Sequence, residues 1–420
     1  MSGPGSTPAL AALVQAGEGQ TDAVAVNDFI FMLKDISNLY LLRTDDGDLL
    51  VNAGFMDSAE RNRMLLAKIR RGPLRRIVLT QGHPDHYGGV PALREAGTEL
   101  IAQRHFSDTC ADFRRLAPYF RRRSFKLWGS TIRRQGTPGM PPQIDADCVV
   151  DRHHAFEQGG RRFELISTPG GETLDALVVW LPQEKVVFTG NLFGPVFLSV
   201  PNLVTVRGDR PRSIRRYLRS LDAVRQLGAE LLITGHGEPV RGAVPIRESL
   251  DRMHAAMAHV DAAVVAGMNE GKDVHTLMRE IQLPEALRLG EHHGKLSWAV
   301  RSIWEEYSGW FHYDATTSLY DVPRKSVDAD LVELAGGAAT LARRAAEKLA
   351  IGQPLQALHL LDIALAVQDD LPDALRTKRD ALQALLAAAQ AGNLSETMWL
   401  RSEIAAVEAS LSPQDGKQPP

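Results

Sequence analysis

Histidine and aspartate cluster in one short stretch of the sequence, LTQGHPDHYGG, at residues 79–89. His83, Asp85 and His86 fall within four positions, directly after a strand-like run, and the stretch ends in a glycine pair. This order is typical of a strand that runs into a loop. Imidazole and carboxylate groups at this spacing can point at one metal ion, but one loop does not fill a coordination sphere. We therefore expect further ligands from other loops.

Two later loops also follow apolar, strand-like runs and carry groups that bind metals. The first reads TPGGE and ends in Glu172, and the second reads TGHG and contains His236. In layered α/β folds, loops at the same end of neighbouring strands converge, and ligands gather there. The sequence therefore predicts that both loops approach the first cluster.

The composition is that of an ordinary globular protein with two or three domains. The 420 residues are 44% hydrophobic and 24% charged, with a net charge of -3 and no nucleic-acid-binding motif, so a nucleic-acid partner is not expected. The first twenty residues lack the basic start of a signal peptide, and their apolar run is too short for a membrane span, so we expect a cytoplasmic protein. Two cysteines, Cys110 and Cys148, are too few for a disulfide framework, so histidine and carboxylate groups must hold any metal.

The pattern of apolar residues changes near residue 245. Before it, strand-length runs alternate with helical spacing, and after it the spacing is almost wholly helical. This predicts an α/β catalytic domain at 25–245 and an all-α domain at 246–412, between a flexible leader (1–24) and a disordered tail (413–420). Within the all-α part, residues 345–376 resemble a single tetratricopeptide-like helix pair, for which we expect a role in packing or oligomerisation.

The segment 114–134 contains eight arginine or lysine residues, no acid and four aromatic residues. Two interpretations stay open. It forms either a solvated amphipathic helix with an aromatic underside, or a lid that guides an anionic or amphiphilic substrate.

An ordered series of motifs resembles a known family. SNLYLLRTDDGDLLVNAG, LTQGHPDH, TPGGET, FTGN and TGHGEP, within residues 25–245, are similar to the metallo-β-lactamase superfamily of binuclear metallohydrolases. The resemblance implies an αββα sandwich. Residues 267–320 are similar to the helical dimerisation domain of the alkylsulfatase branch, which implies a homodimer acting on a small molecule.

The resemblance also implies roles for individual residues. It places Gln81, His83 and Glu172 in a first metal site, Asp85, His86 and His236 in a second, and Asn191 where a carboxylate bridges the two. The segment PNLVTVRG resembles the one in which alkylsulfatases hold the sulfate, which implies substrate binding by Asn202 and Arg207. A turn and a surface ion pair are the structural alternative for these two residues.

Three positions depart from the family pattern: Gln81 replaces a histidine, Asn191 a carboxylate, and Asn52 an aspartate that commonly orients the ligand loop. An amide oxygen is a weak, neutral metal ligand, so the first site is expected to be impaired. We therefore expect one ion at the second site, although two remain open, and zinc is favoured while iron stays open. Gln81 would still hydrogen-bond substrate or water, and Gln81→His would raise the metal content toward two.

The function expected is hydrolysis of an ester by a metal-activated water. Asp85 would orient the water, and His83 and Glu172 would act as acid and base or hold a second ion. The substrate is an anionic or amphiphilic ester: a sulfate ester, a lactone, a thioester or another ester. Two alternatives stay open, a non-hydrolytic metal- or ligand-binding protein on the same fold and an iron-dependent redox enzyme. His292 and His293 are expected at the surface, and a position facing the cleft across a dimer is the alternative.

Overall fold

The structure is a computed structural model that describes residues 9–129, 131–132 and 139–412. The predicted disordered tail, 413–420, and the first eight residues of the predicted leader lie outside the described residues. Residues 9–307 form one compact unit, and residues 308–412 belong to a second.

Two β-sheets form the centre of the first unit. The first sheet has its strands in chain order: β1 (Val24–Ala25), β2 (Ile30–Leu33), β3 (Leu39–Thr44), β4 (Gly47–Val51), β5 (Leu74–Val78), β6 (Glu99–Gln103) and β7 (Cys148–Val150). Strands β1 to β4 pair antiparallel, whereas β4 to β7 pair parallel. The carboxyl ends of β4, β5 and β6 therefore lie along one edge, as expected for loops that converge on a site.

The second sheet runs in the order β13-β12-β11-β10-β9-β8. Its strands are β8 (His153–Gln158), β9 (Arg161–Ser167), β10 (Leu177–Leu181), β11 (Val186–Gly190), β12 (Leu231–Thr234) and β13 (Val240–Arg241). All neighbours pair antiparallel except β11 and β12, which are parallel. The loops after β11 and β12, which carry Asn191 and His236, thus leave the sheet on the same side.

The helices of this unit follow the strands closely in the chain. They are α1 (Ala9–Gln15), α2 (Ala59–Ile69), α3 (Pro84–Tyr87), α4 (Val90–Leu93), α5 (Phe106–Arg115), α6 (Ala117–Trp128), α7 (Ile214–Gln226), α8 (Ala243–Asn269), α9 (Val274–Glu280) and α10 (Leu296–Ser308). Short 3-10 turns lie at Met56–Ser58 and Glu285–Leu287.

Side-chain alternation builds a layered core. Along β10, Leu177 and Val179 face a core shared by the two sheets, whereas Val178 and Trp180 face the helices outside, because successive side chains of a strand point to opposite faces. In β4, Leu49 and Leu50 divide in the same way between the inter-sheet core and the core under α2 and α5. Each such buried side chain contributes about 1.5–3 kcal/mol.

Helices cover both outer faces. Helices α2, α4 and α5 pack on the first sheet, and α7, α8 and α10 on the second. In α8 the buried residues recur every three or four positions, which gives an apolar stripe facing the sheet: Ile246, Leu250, Met253, Met257, Val260 and Val264. The layers are therefore helix, sheet, sheet, helix, and the predicted αββα sandwich is confirmed.

The second unit is helical. It contains α11 (Asp328–Leu334), α12 (Ala338–Ala350), α13 (Pro354–Val367), α14 (Pro372–Ala389) and α15 (Leu394–Leu411), with 3-10 turns at Thr316–Leu319 and Arg324–Val327. Helices α12 and α13 pack through Ala345 and Ala357, both fully buried, because small side chains let helices approach closely. The predicted all-helical C-terminal region is confirmed, and the tetratricopeptide-like pairing stays a prediction.

The segment predicted as a flexible leader contains a folded helix. In α1, Leu10 and Val14 are buried and border the cavity described below, so apolar packing orders these residues. The predicted boundary near 245 coincides with the start of α8, which groups with the sheets in the first unit. Within the described ranges, none of the helices combines the length and the apolar character needed to cross a bilayer.

Candidate metal site and substrate cavity

The loop after β5 owes its shape to Pro84. A proline disfavours helical backbone in the residue before it and is well suited to the first position of a helix. His83 is accordingly extended, with φ -82° and ψ 140°, and α3 begins at Pro84. Asp85 and His86 therefore lie on a helical turn, whereas Gln81 and His83 lie on extended chain before it.

Asp85, His86 and His236 come together as predicted. One ligand atom from each lies within 4.8 Å of the others. Oδ2 of Asp85 is 3.7 Å from Nε2 of His86 and 4.0 Å from Nε2 of His236. The ligands of a tetrahedral zinc ion lie roughly 3.4 Å apart, so a small contraction would bring these three atoms onto one ion. The donor set fits a catalytic metal with room for water.

A chain of hydrogen bonds sets the tautomer of His86. Asn52 has a left-handed backbone, with φ 60°, which asparagine tolerates better than most residues. Its Oδ1 accepts hydrogen bonds from both the amide and the hydroxyl of Thr80, each at 3.0 Å. Since the Thr80 hydroxyl donates to Asn52, it accepts from Nδ1 of His86 at 3.2 Å. Nε2 of His86, which lies 3.2 Å from the hydroxyl of Ser37 and 3.7 Å from Oδ2 of Asp85, is then the nitrogen that would bind a metal, and Asn52 orients the loop although it is not an aspartate.

Burial and charge keep this cluster in the protonation state that binds metals. Burial lowers the pKa of His86 to about 3 and also lowers the pKa of His236. Burial alone would raise the pKa of Asp85, but the neighbouring imidazoles of His86, His236 and His83 lower it below its ordinary value. At neutral pH His86 and His236 are therefore neutral and the carboxylate of Asp85 is charged.

Asn191 lies against the same cluster. Its Nδ2 donates to Nε2 of His236 at 3.2 Å, a contact that a metal ion bound by His236 would have to displace, and its buried Oδ1 has no hydrogen-bond partner among the described residues. A β-carbon at Gly235 would come within 2.2 Å of that Oδ1 and 3.2 Å of His86, so only glycine fits here. Asn191 is thus placed beside the second site, but it offers a neutral amide where the family pattern has a carboxylate.

The residues of the expected first site are engaged with the protein instead. Nε2 of Gln81 donates to Nδ1 of His83 at 2.7 Å, and Oε1 of Gln81 accepts from the backbone amide of Asn191 at 3.3 Å. Glu172 is 4% exposed and pairs with Arg212, whose Nη1 is 2.9 Å from Oε2 of the carboxylate. Nδ1 of His83 also lies 3.5 Å from Oε1 of Glu172, so an ion between them would have to displace the contacts with Gln81 and Arg212.

A second ion-pair network supports His83 from its other side. Nε2 of His83 lies 3.2 Å from Oδ2 of Asp209, which is also 3.2 Å from Nη2 of Arg207. Burial would raise the pKa of Asp209, but the hydrogen bond with His83 and the charges of Arg207 and Arg212 hold it well below its usual range. Asp209 is therefore a fixed negative charge beside His83.

A cavity of about 290 Å³ opens onto the cluster. At one end it is bordered by Asp85, His236 and Arg207, and its remaining walls are largely apolar. Helices α1, α5 and α6 supply part of these walls: Leu10, Val14, Phe113, Phe120, Phe125 and Trp128. The arrangement joins a polar, charged end to an apolar chamber, which suits an amphiphilic ligand.

Two sequence profiles match the chain. The metallo-beta-lactamase superfamily matches residues 33–236, which carry the cluster, and the alkyl sulfatase dimerisation family matches residues 273–403. The chain carries a metallo-β-lactamase domain and an alkyl sulfatase dimerisation domain. The resemblance recognised in the sequence is thereby confirmed.

Similar proteins match this chain over most of its length. A linear primary-alkylsulfatase of a Pseudomonas species is 26% identical over 358 residues, which cover 79% of this chain and 66% of the relative. An alkyl/aryl-sulfatase of Saccharomyces cerevisiae is 24% identical over 355 residues, 76% of this chain and 54% of the relative. The chain thus spans less than two thirds of the length of each of these relatives.

A solved structure shows the same fold. The stereoselective inverting sec-alkylsulfatase Pisa1 from Pseudomonas sp. matches with a TM-score of 0.82 at 20% sequence identity, covering 93% of this chain and 66% of that chain. At this identity the likeness concerns the fold, the two-sheet domain followed by helices.

The structure gives the positions of three further residues that the sequence analysis named: Asn202, Arg207 and His293. Arg207 borders the cavity, whereas the buried Asn202 does not, and the backbone carbonyl of Asn202 accepts a hydrogen bond from Arg212. His293 is 6% exposed and lines the cavity, so the surface position expected for it is wrong. Its ring lies 6.2 Å from that of Trp128, and apolar packing between the two segments explains its burial.

Sequence reasoning missed Asp209 and Arg212. They stand in RGDRPR, directly after the segment PNLVTVRG that drew attention to Arg207. The dense charge of this hexapeptide could have indicated a functional role. Arg212 pairs with Glu172, 40 residues away in the chain, and Asp209 pairs with His83, 126 residues away, so residue spacing does not predict these contacts. The basic segment was recognised, and its helix α6 borders the cavity through aromatic residues.

Proposed function

We propose that this protein hydrolyses sulfate esters of apolar alcohols, with one metal ion held by Asp85, His86 and His236. The observation that supports this most is the cavity, which is bordered by two of the three ligands, Asp85 and His236, by the guanidinium group of Arg207 and by aromatic side chains. The similarity to proteins named alkylsulfatases supports the same substrate class.

The metal ion proposed is zinc, because two imidazoles and one carboxylate are a usual catalytic zinc set, although iron(II) accepts the same donors. When bound, the ion would activate water and polarise the ester bond that breaks. Asp85 is ionised and partly exposed to the cavity, so it is able to accept a hydrogen bond from the attacking water and orient it.

Arg207 is the group proposed to bind the sulfate. It borders the cavity, and its guanidinium is held by the carboxylate of Asp209, so its donors are fixed in direction before substrate binds. A guanidinium group matches the geometry of a tetrahedral oxyanion through paired hydrogen bonds. Asn202 would act indirectly, through the backbone carbonyl that holds Arg212.

The aromatic chamber is proposed to take the apolar part of the ester. Phe120, Phe125 and Trp128 of α6 line that part of the cavity and would contact the apolar chain. Burying each methylene group of a substrate contributes about 0.8 kcal/mol, so a longer chain binds more tightly until the chamber is full. A homodimer is proposed from the match to the alkyl sulfatase dimerisation family.

A substrate panel tests this function. Alkyl sulfates of increasing chain length are compared with an aryl phosphate, a lactone and a thioester, each with and without chelator. We expect sulfate release from alkyl sulfates, with kcat/KM rising roughly fourfold per methylene over short chains, and loss of turnover with chelator. Faster turnover of the lactone or thioester would assign a different ester class, and binding without turnover of any substrate would support a non-hydrolytic protein.

A further inference from the structure

The position of the first metal site is filled by hydrogen-bond donors of the protein. The lone pair of Nδ1 in His83, which a metal would occupy, faces the amide nitrogen of Gln81 at 2.7 Å. The other side of the Gln81 amide is also committed, because its oxygen accepts from the backbone of Asn191. Gln81 is 1% exposed, so water does not compete for these bonds. A neutral donor therefore stands where the ligand pattern would need an acceptor.

Arg212 forms an ion pair with Glu172, the remaining ligand of the expected first metal site. Nη2 of Arg212 donates to Oε1 of Glu172 at 3.2 Å, and Nη1 lies 2.9 Å from Oε2 as an ion pair, while Oε2 accepts no hydrogen bond from the described residues. Both side chains are almost fully buried, at 2% and 4% exposure. Nη1 also donates to the carbonyl of Asn202, and Nη2 lies 3.7 Å from Asp209, so the guanidinium is anchored on three sides.

The positive charge of Arg212 opposes the binding of a metal ion at Glu172. A buried carboxylate needs a partner, and the single positive charge of Arg212 supplies one without a metal. A divalent ion placed against Glu172 would be repelled by the adjacent guanidinium, and it would have to break the contact of Gln81 with His83. Two independent features thus close the same position, one on His83 and one on Glu172.

We propose that Gln81 and Arg212 together replace the first metal ion, so that the protein is built for a single metal and Arg212 acts as the permanent cation of the first position. This deepens the proposed function and rests on it for the metal at Asp85, His86 and His236. It also changes the expectation for Gln81→His, because restoring a histidine leaves Glu172 paired with Arg212. Both residues must be replaced before a second ion can bind.

Zinc content in four proteins tests the proposal. Each protein is stripped with chelator, dialysed against buffered zinc, and analysed for zinc per chain. Wild type and Gln81→His are expected to hold about one ion, whereas Gln81→His combined with Arg212→Met gains about one more, since two imidazoles and a carboxylate are then free. The matched control adds Glu172→Gln to that pair, which removes the carboxylate and is expected to return the content to the wild-type level.

A second zinc ion in Gln81→His alone would overturn the proposal, because Arg212 would then only orient a metal-bound Glu172. The proposal would also be overturned if the folded double variant bound no more zinc than the wild type. If Arg212→Met does not fold, Gln81→His combined with Arg212→Lys keeps a cation beside Glu172 and must stay near the wild-type zinc content. The readout is a difference in zinc between variants, so an absence of sulfatase activity would refute the proposed function without deciding this question.

Discussion

Replacing His86 or His236 with alanine is expected to lower kcat/KM for an alkyl sulfate by roughly 10³-fold or more. Each variant removes one of the three convergent ligands and leaves the other two with too few protein donors for tight binding. Metal catalysis contributes several kcal/mol to transition-state stabilisation, and about 1.4 kcal/mol corresponds to a factor of ten. Steady-state kinetics of the purified variants measures the loss of kcat/KM, and zinc analysis measures the loss of bound metal.

The matched control is His153→Ala. His153 lies on β8, where its side chain is 50% exposed, so it carries no expected role in the site. Activity and zinc content should equal those of the wild type, and circular dichroism should show that all three variants are folded. Unchanged turnover in folded His86→Ala or His236→Ala would refute a reaction at this cluster.

Arg207→Ala is expected to lower kcat/KM for alkyl sulfates by roughly 10 to 100-fold, while zinc content stays unchanged. Hydrogen bonds to a charged group contribute about 1.5–3 kcal/mol, and Arg207 borders the cavity and contacts Asp209, which also contacts His83. Arg207→Lys should retain part of the activity, because it keeps the charge but loses the paired donors. Initial-rate kinetics over a range of alkyl sulfate concentrations separates the three proteins.

Arg210→Ala provides the comparison for Arg207. Arg210 is in the same loop and its side chain is 59% exposed, where it pairs with Asp112 away from the metal ligands. Its removal should change kcat/KM less than about twofold, since exposed ion pairs contribute little. If Arg207→Ala and Arg210→Ala lowered kcat/KM equally, the substrate would be attracted by the general positive charge around the cavity. A specific contact with Arg207 would then be refuted.

The part of this protein that could be predicted from its sequence is the part set by local rules. Pro84 fixes the extended His83 and the turn that carries Asp85 and His86, and the alternation of apolar residues in β4 and β10 fixes which side chains lie between the sheets. The convergence of His236 on that turn joins loops of two different sheets, the loop after β5 and the loop after β12. The resemblance to the metallo-β-lactamase superfamily, and no rule for neighbouring strands, therefore predicts that these three residues meet.

The rest depended on contacts between distant segments. The pairing of Arg212 with Glu172 and of Asp209 with His83 is set by where the loop after β11 folds back, which residue spacing does not encode. Helix α1 is short and follows a sequence of small and polar residues, and only its packing beside the cavity explains why Leu10 is buried. Burial of His293 is likewise a tertiary effect.

The most direct test of a single-metal sulfatase is a zinc titration of metal-free protein. Zinc is added in steps to chelator-stripped enzyme, and the rate of sulfate release from an alkyl sulfate is measured at each step. The account predicts no activity without zinc, a linear rise, and a plateau at about one zinc per chain. Full activity in the metal-free protein, or a plateau reached only at about two zinc ions per chain, would contradict it.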